Sequence, residues 1–203
     1  MTMDAATFSK QHVRDEREWQ LACATRRSNK RNGVKVYNVL YADPPWRFEP
    51  YSRITGMSRA ADNHYATMTL DKIKLLEVPA AKHCALFLWA TAPMLPHALA
   101  VMQAWGFTYK SHWIWVKDRI GTGYWSRNMH ELLLIGTRGQ IPAPAPGSQP
   151  ESAMTYPVGR HSAKPPEFRQ LIDGFYPNVP KLEMFARGKA SEHWDVMGDE
   201  AEP

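Results

Sequence analysis

The chain has few of the residues that mark metal, disulfide or membrane proteins. It has two cysteines, Cys23 and Cys84, far apart and at no zinc-ligand spacing. Cys84 lies within the apolar run CALFLWA, which suits a reduced, buried small hydrophobe. The eight histidines are scattered, with no H-E-x-x-H pair, so no metal site is expected. No stretch approaches the roughly 18 apolar residues of a membrane span, and MTMDAATFSK has the wrong composition for a signal peptide. A cytoplasmic, metal-free protein that does not enter the membrane is the expectation. Absent too are G-x-G-x-x-G and G-x-x-x-x-G-K-[ST], the usual pyrophosphate cradles. That argues against NAD and ATP as ligands.

What is present narrows the choice. With 203 residues, 44% hydrophobic and 22% charged, the chain can bury the core of one globular domain and is not a disordered tail. Its net charge of +5 favours a polyanionic partner. Residues 1–33 read as a basic helical extension, with Trp19 and Cys23 on one edge. It ends in Arg26, Arg27, Lys30 and Arg31 before a Gly33 stop. This basic run is either a nucleic-acid contact or a solvated helix end favoured by the macrodipole. Residues 34–203 form the expected main domain.

There VKVYNVLYA is apolar almost throughout, as a central buried strand would be. TLDKIKLLEVP reads as a helix capped by Thr69, lined by Leu70, Ile73 and Leu76, and ended by Pro79. CALFLWAT is a second buried strand. TAPMLPHALAVMQAWGF is a helix closing at Gly106, with Leu95, Leu99, Met102 and Trp105 along its face. FTYKSHWIWVK is a strand with alternating Phe107, Tyr109, Trp113 and Trp115, and ELLLIGT is another. KPPEFRQLIDGFYP is a helix with Pro165 near its start and Phe168, Leu171, Ile172 and Phe175 on one stripe. KLEMFAR and WDVMG are short strands. Strands alternating with helices predict an α/β fold: a mostly parallel central sheet with helices on both faces. Two long stretches lack periodicity, residues 47–65 and the segment 140–164, Pro/Ala-rich at its start. Loops this long in a compact domain are expected to be functional.

Ligands of open α/β sheets bind outside the carboxyl ends of the strands. Asp43 in YADPPWRF stands at such an end, stiffened by Pro44 and Pro45, whose φ angles are fixed. Phe185 and Arg187 of FAR, and Asp199 and Glu200 after WDVMG, stand at two others. An acidic residue at the end of a neighbouring strand suits ribose hydroxyls. A cofactor with ribose but no phosphate fits, and S-adenosylmethionine meets that description. An adenine amine is a poor nucleophile because it is conjugated with its ring. Asp43 and the Pro44 carbonyl could accept its two hydrogens and aim its lone pair at a methyl donor, with Trp46 as a stacking face. Such chemistry needs positioning more than a strong base.

YADPPW, HYATM, LFLWAT, AWGF, WVK, GYW, HE, HSAKP, KLEMFAR and WDVMGDE occur in that order. From about Tyr37 to Glu200 the chain thereby resembles the adenine-N6 methyltransferases of the MT-A (seventy-kilodalton subunit) type. The resemblance implies a Rossmann-like methyltransferase fold in permuted order, with the catalytic motif before the cofactor strand. It implies that Asp43, Pro44 and Pro45 hold the target amine, with Trp46 at the base. It places Lys164 beside the cofactor's methionine part and Arg187, Asp199 and Glu200 around its ribose and adenine, with Asp43 and Phe185 as further cofactor-binding candidates. Tyr65, Lys117 and Glu131 become candidate substrate contacts. Residues 47–64 and 148–162 become two gates over substrate and cofactor. Family members often carry Asn where Asp199 stands; either side chain can accept from a ribose hydroxyl. The expected substrate is adenine in DNA, with RNA or a single strand as the alternative. A non-catalytic nucleic-acid-binding scaffold would be the reading from another class, but the intact Asp43–Trp46 tetrad opposes it. A homodimer is a candidate assembly, because one small domain offers little surface to grip DNA.

Overall fold

The computed structural model describes residues 30–31, 34–47, 67–123, 125–159, 163–191, 193–198 and 200–202. Most of the expected extension helix, most of the first gate, Tyr65 and Asp199 lie outside these residues. Lys30 and Arg31, expected at a helix end, are instead strand β1 (Lys30–Arg31), paired antiparallel with β2 (Val34–Lys35). The reason is local. Asn-Gly between two strands is a strong hairpin signal and outweighs the helix-end reading of Gly33.

Strand β3 (Tyr37–Ala42) is buried along its whole length and pairs parallel with β4 (Ala80–Thr91). Its side chains alternate between two cores. Tyr37, Leu40 and Ala42 face one, with Leu86, Leu88 and Ala90 of β4. Val39 and Tyr41 face the other, with Phe87 and Trp89. A sheet covered on both faces leaves few strand positions for a polar residue to reach water, hence the nearly continuous apolar runs; Asn38, the exception in β3, donates to the His83 carbonyl at 2.9 Å. Cys84 is fully buried, and burial pushes its thiol pKa up, so it is an inert core sulfur.

The first core is covered by α1 (Leu70–Lys74) and by α2 (Leu95–Ala104), the latter entered through a 3-10 turn (Ala92–Met94). The Thr69 hydroxyl accepts from the Lys72 N–H at 3.4 Å, the cap expected there, although α1 ends well before Pro79. Trp105 Nε1 donates to the Ile73 carbonyl at 2.9 Å and ties the two helices together. In α2 the buried residues are Ala98, Val101 and Met102. Leu99 is 37% exposed, contrary to its expected place on the contact stripe. It follows Ala98 by about 100° of helical rotation, which carries it off the face that Ala98 and Met102 share. The second core is covered by α3 (Pro166–Phe175), which buries Phe168 and Ile172.

The remaining strands are β5 (Thr108–Lys117), β6 (His130–Arg138), β7 (Ala153–Tyr156), β8 (Lys181–Met184), β9 (Arg187–Lys189), β10 (Asp195–Met197) and β11 (Glu200–Glu202). The central sheet has seven strands in the order β10-β8-β3-β4-β6-β5-β7. All run parallel except β6, which is antiparallel to both β4 and β5. No helix links β5 to β6, and parallel neighbours need a crossover, so a hairpin is the available connection. β7 falls inside the segment expected to be irregular. It is a four-residue edge strand between proline-rich stretches, too short to show a period. A register shift between Tyr109 and Ser111 breaks the alternation expected in β5. Trp113 and Trp115 pack in the α3-side core, whereas Phe107 belongs to the other and Tyr109 is exposed.

One charge is buried at the amino edge. The Lys181 ammonium, 1% exposed, pairs with Asp173 of α3 at 3.2 Å, and Trp194 Nε1 donates to the same carboxylate at 2.9 Å. Asp173→Ala would leave that ammonium buried without its partner. The expected loss is roughly 3 kcal/mol or more in urea unfolding, with Asp173→Ala/Lys181→Met recovering part of it. A single variant as stable as the wild type would refute the latch.

Candidate active site

Strand direction gathers the expected residues at one edge. Asp43 follows β3, Lys117 ends β5 and Phe185 follows β8. Because β6 runs the other way, its second residue, Glu131, reaches the same edge, opposite Thr91 of β4 and Trp115 of β5. Ala42 pairs with Met184, and Met184 with Met197, so the ends of β3, β8 and β10 stand side by side.

The Asp43–Trp46 segment is held by its own backbone. The Trp46 N–H donates to the Pro44 carbonyl at 2.8 Å, and the Met68 N–H to the Pro45 carbonyl at 2.9 Å. The Pro44 oxygen, expected to face the substrate amine, thus already accepts one hydrogen bond, and a carbonyl has a second lone pair to offer. Trp46 is buried, 8% exposed, and its Nε1 donates to the Trp89 carbonyl at 3.1 Å. Its indole belongs to the same core as Ala42, Leu88 and Met94, so it braces the motif from within.

Four charged side chains form a line. Lys164 Nζ donates to Asp43 Oδ2 at 2.6 Å and lies 3.5 Å from Glu131 Oε2. Glu131 Oε1 accepts from Lys117 Nζ at 2.5 Å. Lys164 also sits over the Trp89 ring, 5.6 Å from its centroid, and Lys117 over Trp115 at 4.7 Å. Both are cation–π placements. The Lys164 and Glu131 side chains are only 12% and 15% exposed, so water screens this line weakly. Burial pushes the Glu131 carboxyl pKa up, but Lys164 and Lys117 more than reverse this and leave it below the usual carboxylate value.

The described part of the second expected gate is tied to the sheet. Ala153–Tyr156 pairs with β5, Trp115 Nε1 donates to the Tyr156 carbonyl at 2.8 Å, and the Val158 N–H donates to Asp118 at 2.9 Å. At least this part is a sheet edge and not a free flap.

Residues 37–200 match the family model described as MT-A70. The chain belongs to the MT-A70 family. It is 31% identical over 181 residues to the type II methyltransferase M.MunI from a Mycoplasma species, covering 81% of this chain and 77% of that protein. It is 26% identical over 174 residues to the human N(6)-adenosine-methyltransferase catalytic subunit METTL3, covering 81% of this chain but 28% of that one. A putative N(6)-adenosine-methyltransferase MT-A70-like protein of Medicago truncatula is 29% identical over 161 residues, with 74% and 24% covered. The chain therefore spans about a quarter of these plant and animal relatives.

MT-A70 methyltransferases take the methyl group from S-adenosylmethionine. The ends of β8 and β10 fit such a group. Phe185 takes a φ of 61°, a left-handed conformation that costs a non-glycine residue roughly 1–2 kcal/mol. A Cβ at Gly198 would lie 2.6 Å from the Ala186 oxygen, so the two backbones touch only because residue 198 is glycine. Arg187 is exposed and pairs in register with Glu200 across β9 and β11. A guanidinium and an acidic position thus flank a tight turn where a ribose-bearing ligand is expected in this fold class. Among the described residues no group of three or more His, Cys, Asp or Glu could hold a metal ion. No helix among them is long and apolar enough to cross a membrane.

The sequence placed Lys164 with the cofactor and Lys117 and Glu131 with the substrate. Their union into one line with Asp43 had no sequence signal, since it depends on β6 entering the sheet in reverse. A pH dependence follows from Glu131. A carboxyl whose folded pKa is depressed adds stability that is full above the ordinary glutamate pKa of about 4.3 and is lost as pH falls through the lower folded value. Glu131→Gln is expected to be less stable than the wild type at pH 7 in urea, and the gap is expected to close progressively below about pH 4. A gap unchanged down to pH 3 would refute the depressed value.

Proposed function

We propose that this protein transfers a methyl group from S-adenosylmethionine to the exocyclic N6 amine of adenine in DNA. The observation that carries this reading is the Asp43 carboxylate, held by Lys164 on a proline-stiffened strand end directly beside the end of β8. The similarity to M.MunI, a type II methyltransferase, supports DNA over RNA. The similarity to METTL3, an adenosine methyltransferase subunit, supports N6 as the acceptor.

The cofactor supplies a methyl group already activated on a sulfonium centre. The remaining work is positioning. Asp43 Oδ2 accepts from Lys164, leaving Oδ1 as an acceptor for one hydrogen of the adenine amine. The free lone pair of the Pro44 carbonyl takes the other. Both hydrogens are then held away from the nitrogen lone pair, which is left to point at the methyl carbon. After transfer the nitrogen carries an extra proton, and Asp43 or water accepts it. Pro45 and Trp46 keep the carboxylate in place from the backbone and the core sides. Glu131 and Lys117 act through Lys164 and hold its ammonium against Asp43; Tyr65 remains a candidate contact for the base. Lys164 and Arg187 bind the cofactor, together with Phe185, Asp199 and Glu200. An adenine in a duplex must be flipped out of the stack to reach this edge.

Residues 1–33 would form a separate basic extension and residues 34–203 the methyltransferase domain. The protein would work without a metal and as a homodimer, whose second copy enlarges the DNA-binding surface.

Three measurements test this reading. Radiolabelled cofactor is offered in parallel with unmethylated duplex DNA, single-stranded DNA and RNA. Label is expected in N6-methyladenine of the duplex; label in RNA alone would move the substrate to RNA, and no label anywhere would sink the activity. At saturating cofactor, Asp43→Ala is expected to lose two or more orders of magnitude in turnover, roughly 3 kcal/mol of barrier. Near-normal turnover would remove Asp43 from the reaction. Lys164→Ala is expected to weaken cofactor affinity as well as turnover, and unchanged affinity would leave Lys164 solely a partner of Asp43.

A further inference from the structure

The hairpin joining β5 to β6 carries a feature that the proposed reaction does not use. Trp125 is 96% exposed at its tip, with Ile120 and Met129 also exposed nearby in the chain. So exposed an indole is uncommon, and exposed apolar side chains on one loop mark contact sites.

This loop is built rather than slack. The Gly121 N–H donates to the Asn128 carbonyl at 2.9 Å, the Asn128 N–H to the Thr122 carbonyl at 3.3 Å, and Arg127 Nε to the Gly121 carbonyl at 2.7 Å. Gly121 and Gly123 leave no room for a Cβ, which would collide with the backbone oxygens of Asn128 and Ser126. At the base, the Lys117 N–H donates to the Met129 carbonyl at 2.7 Å, and the Lys117 and Glu131 side chains pair. The two stems of the loop are therefore the same residues that end the charged line from Asp43. The position of the tip is set relative to the proposed site.

Charge selects the class of partner. Between residues 118 and 129 the one acidic side chain is Asp118, whose carboxylate accepts from the Val158 N–H. Arg119 and Arg127 are exposed. An exposed indole on a loop that also carries two exposed guanidinium groups, rising from the edge that holds Asp43, matches the stacking platforms and phosphate contacts of nucleic-acid grooves. We propose that Trp125 stacks on a base next to the target adenine, while Arg119 and Arg127 meet neighbouring phosphates. This rests on the proposed activity for the position of the target. Stacking is tolerant of base identity, so the contact holds the strand and does not read its sequence.

The test uses the full chain, with Trp125→Ala and Trp125→Phe compared with the wild type. The substrate is an unmethylated duplex, free in the assays, fluorescein-labelled for anisotropy, or carrying 5-iodouracil for photocrosslinking. Trp125→Ala is expected to weaken duplex affinity and raise the KM for DNA about tenfold or more, leaving the KM for S-adenosylmethionine unchanged. Trp125→Phe is expected to recover most of the loss, and crosslinks are expected in the peptide holding Trp125. A wild type that methylates DNA beside an equally competent Trp125→Ala overturns this inference alone. Trp125-dependent binding without methyl transfer overturns the activity and keeps the contact. Failure of both overturns both. A Trp125→Ala protein that goes from dimer to monomer in sedimentation, with no crosslink at the loop, would show a self-association surface and overturn the contact.

Discussion

One ammonium group holds the proposed site together. Lys164 lies just before α3, near the positive end of the helix dipole, where a lysine is electrostatically disfavoured. Its place is secured by Asp43 at 2.6 Å, by Glu131 at 3.5 Å and by the face of Trp89. With Lys117 included, two cations and two carboxylates balance. In a poorly screened pocket that balance matters, because removing one member leaves a charge uncompensated at a cost of several kcal/mol. The ends of β3 and β5 and the starts of β6 and α3 are thus joined by one set of interactions.

The reversal of β6 makes this set possible. Had β6 run parallel to β4, its first residues would stand at the amino edge and Glu131 would be a sheet length away from Asp43. The reversed strand instead returns Glu131 to the carboxyl edge, and the connecting loop projects Trp125 from the same place. Core packing supports the arrangement. Trp89 contributes its carbonyl to Trp46 on one side of the sheet and its ring to Phe168 and Trp115 on the other.

The readable parts of the fold were those set by neighbours in sequence. The nearly continuous apolar runs of β3 and β4 announce a sheet covered on both faces. The i, i+3, i+4, i+7 stripe of α3 announces its buried side. Thr69 announced its cap. The misread parts depended on partners elsewhere. Leu99 belongs to a helix whose buried face is chosen by its neighbours, β7 exists because β5 offers an edge to pair with, and the alternation in β5 is broken by a bulge against β6.

By itself the sequence determined the chemistry available: a rigid Asp-Pro-Pro-Trp strand end, a lysine ahead of a proline-led helix, and an arginine after a short strand. These are local properties of residue type and backbone restriction, and they carry the family with them. Tertiary structure alone decided which of these groups meet. It buried most of Trp46 and tied its indole N–H to the Trp89 carbonyl, because β4 runs alongside the strand that leads into the motif. It brought Glu131 and Lys117 to Lys164, because strand direction and register are settled only when the whole sheet closes its hydrogen bonds.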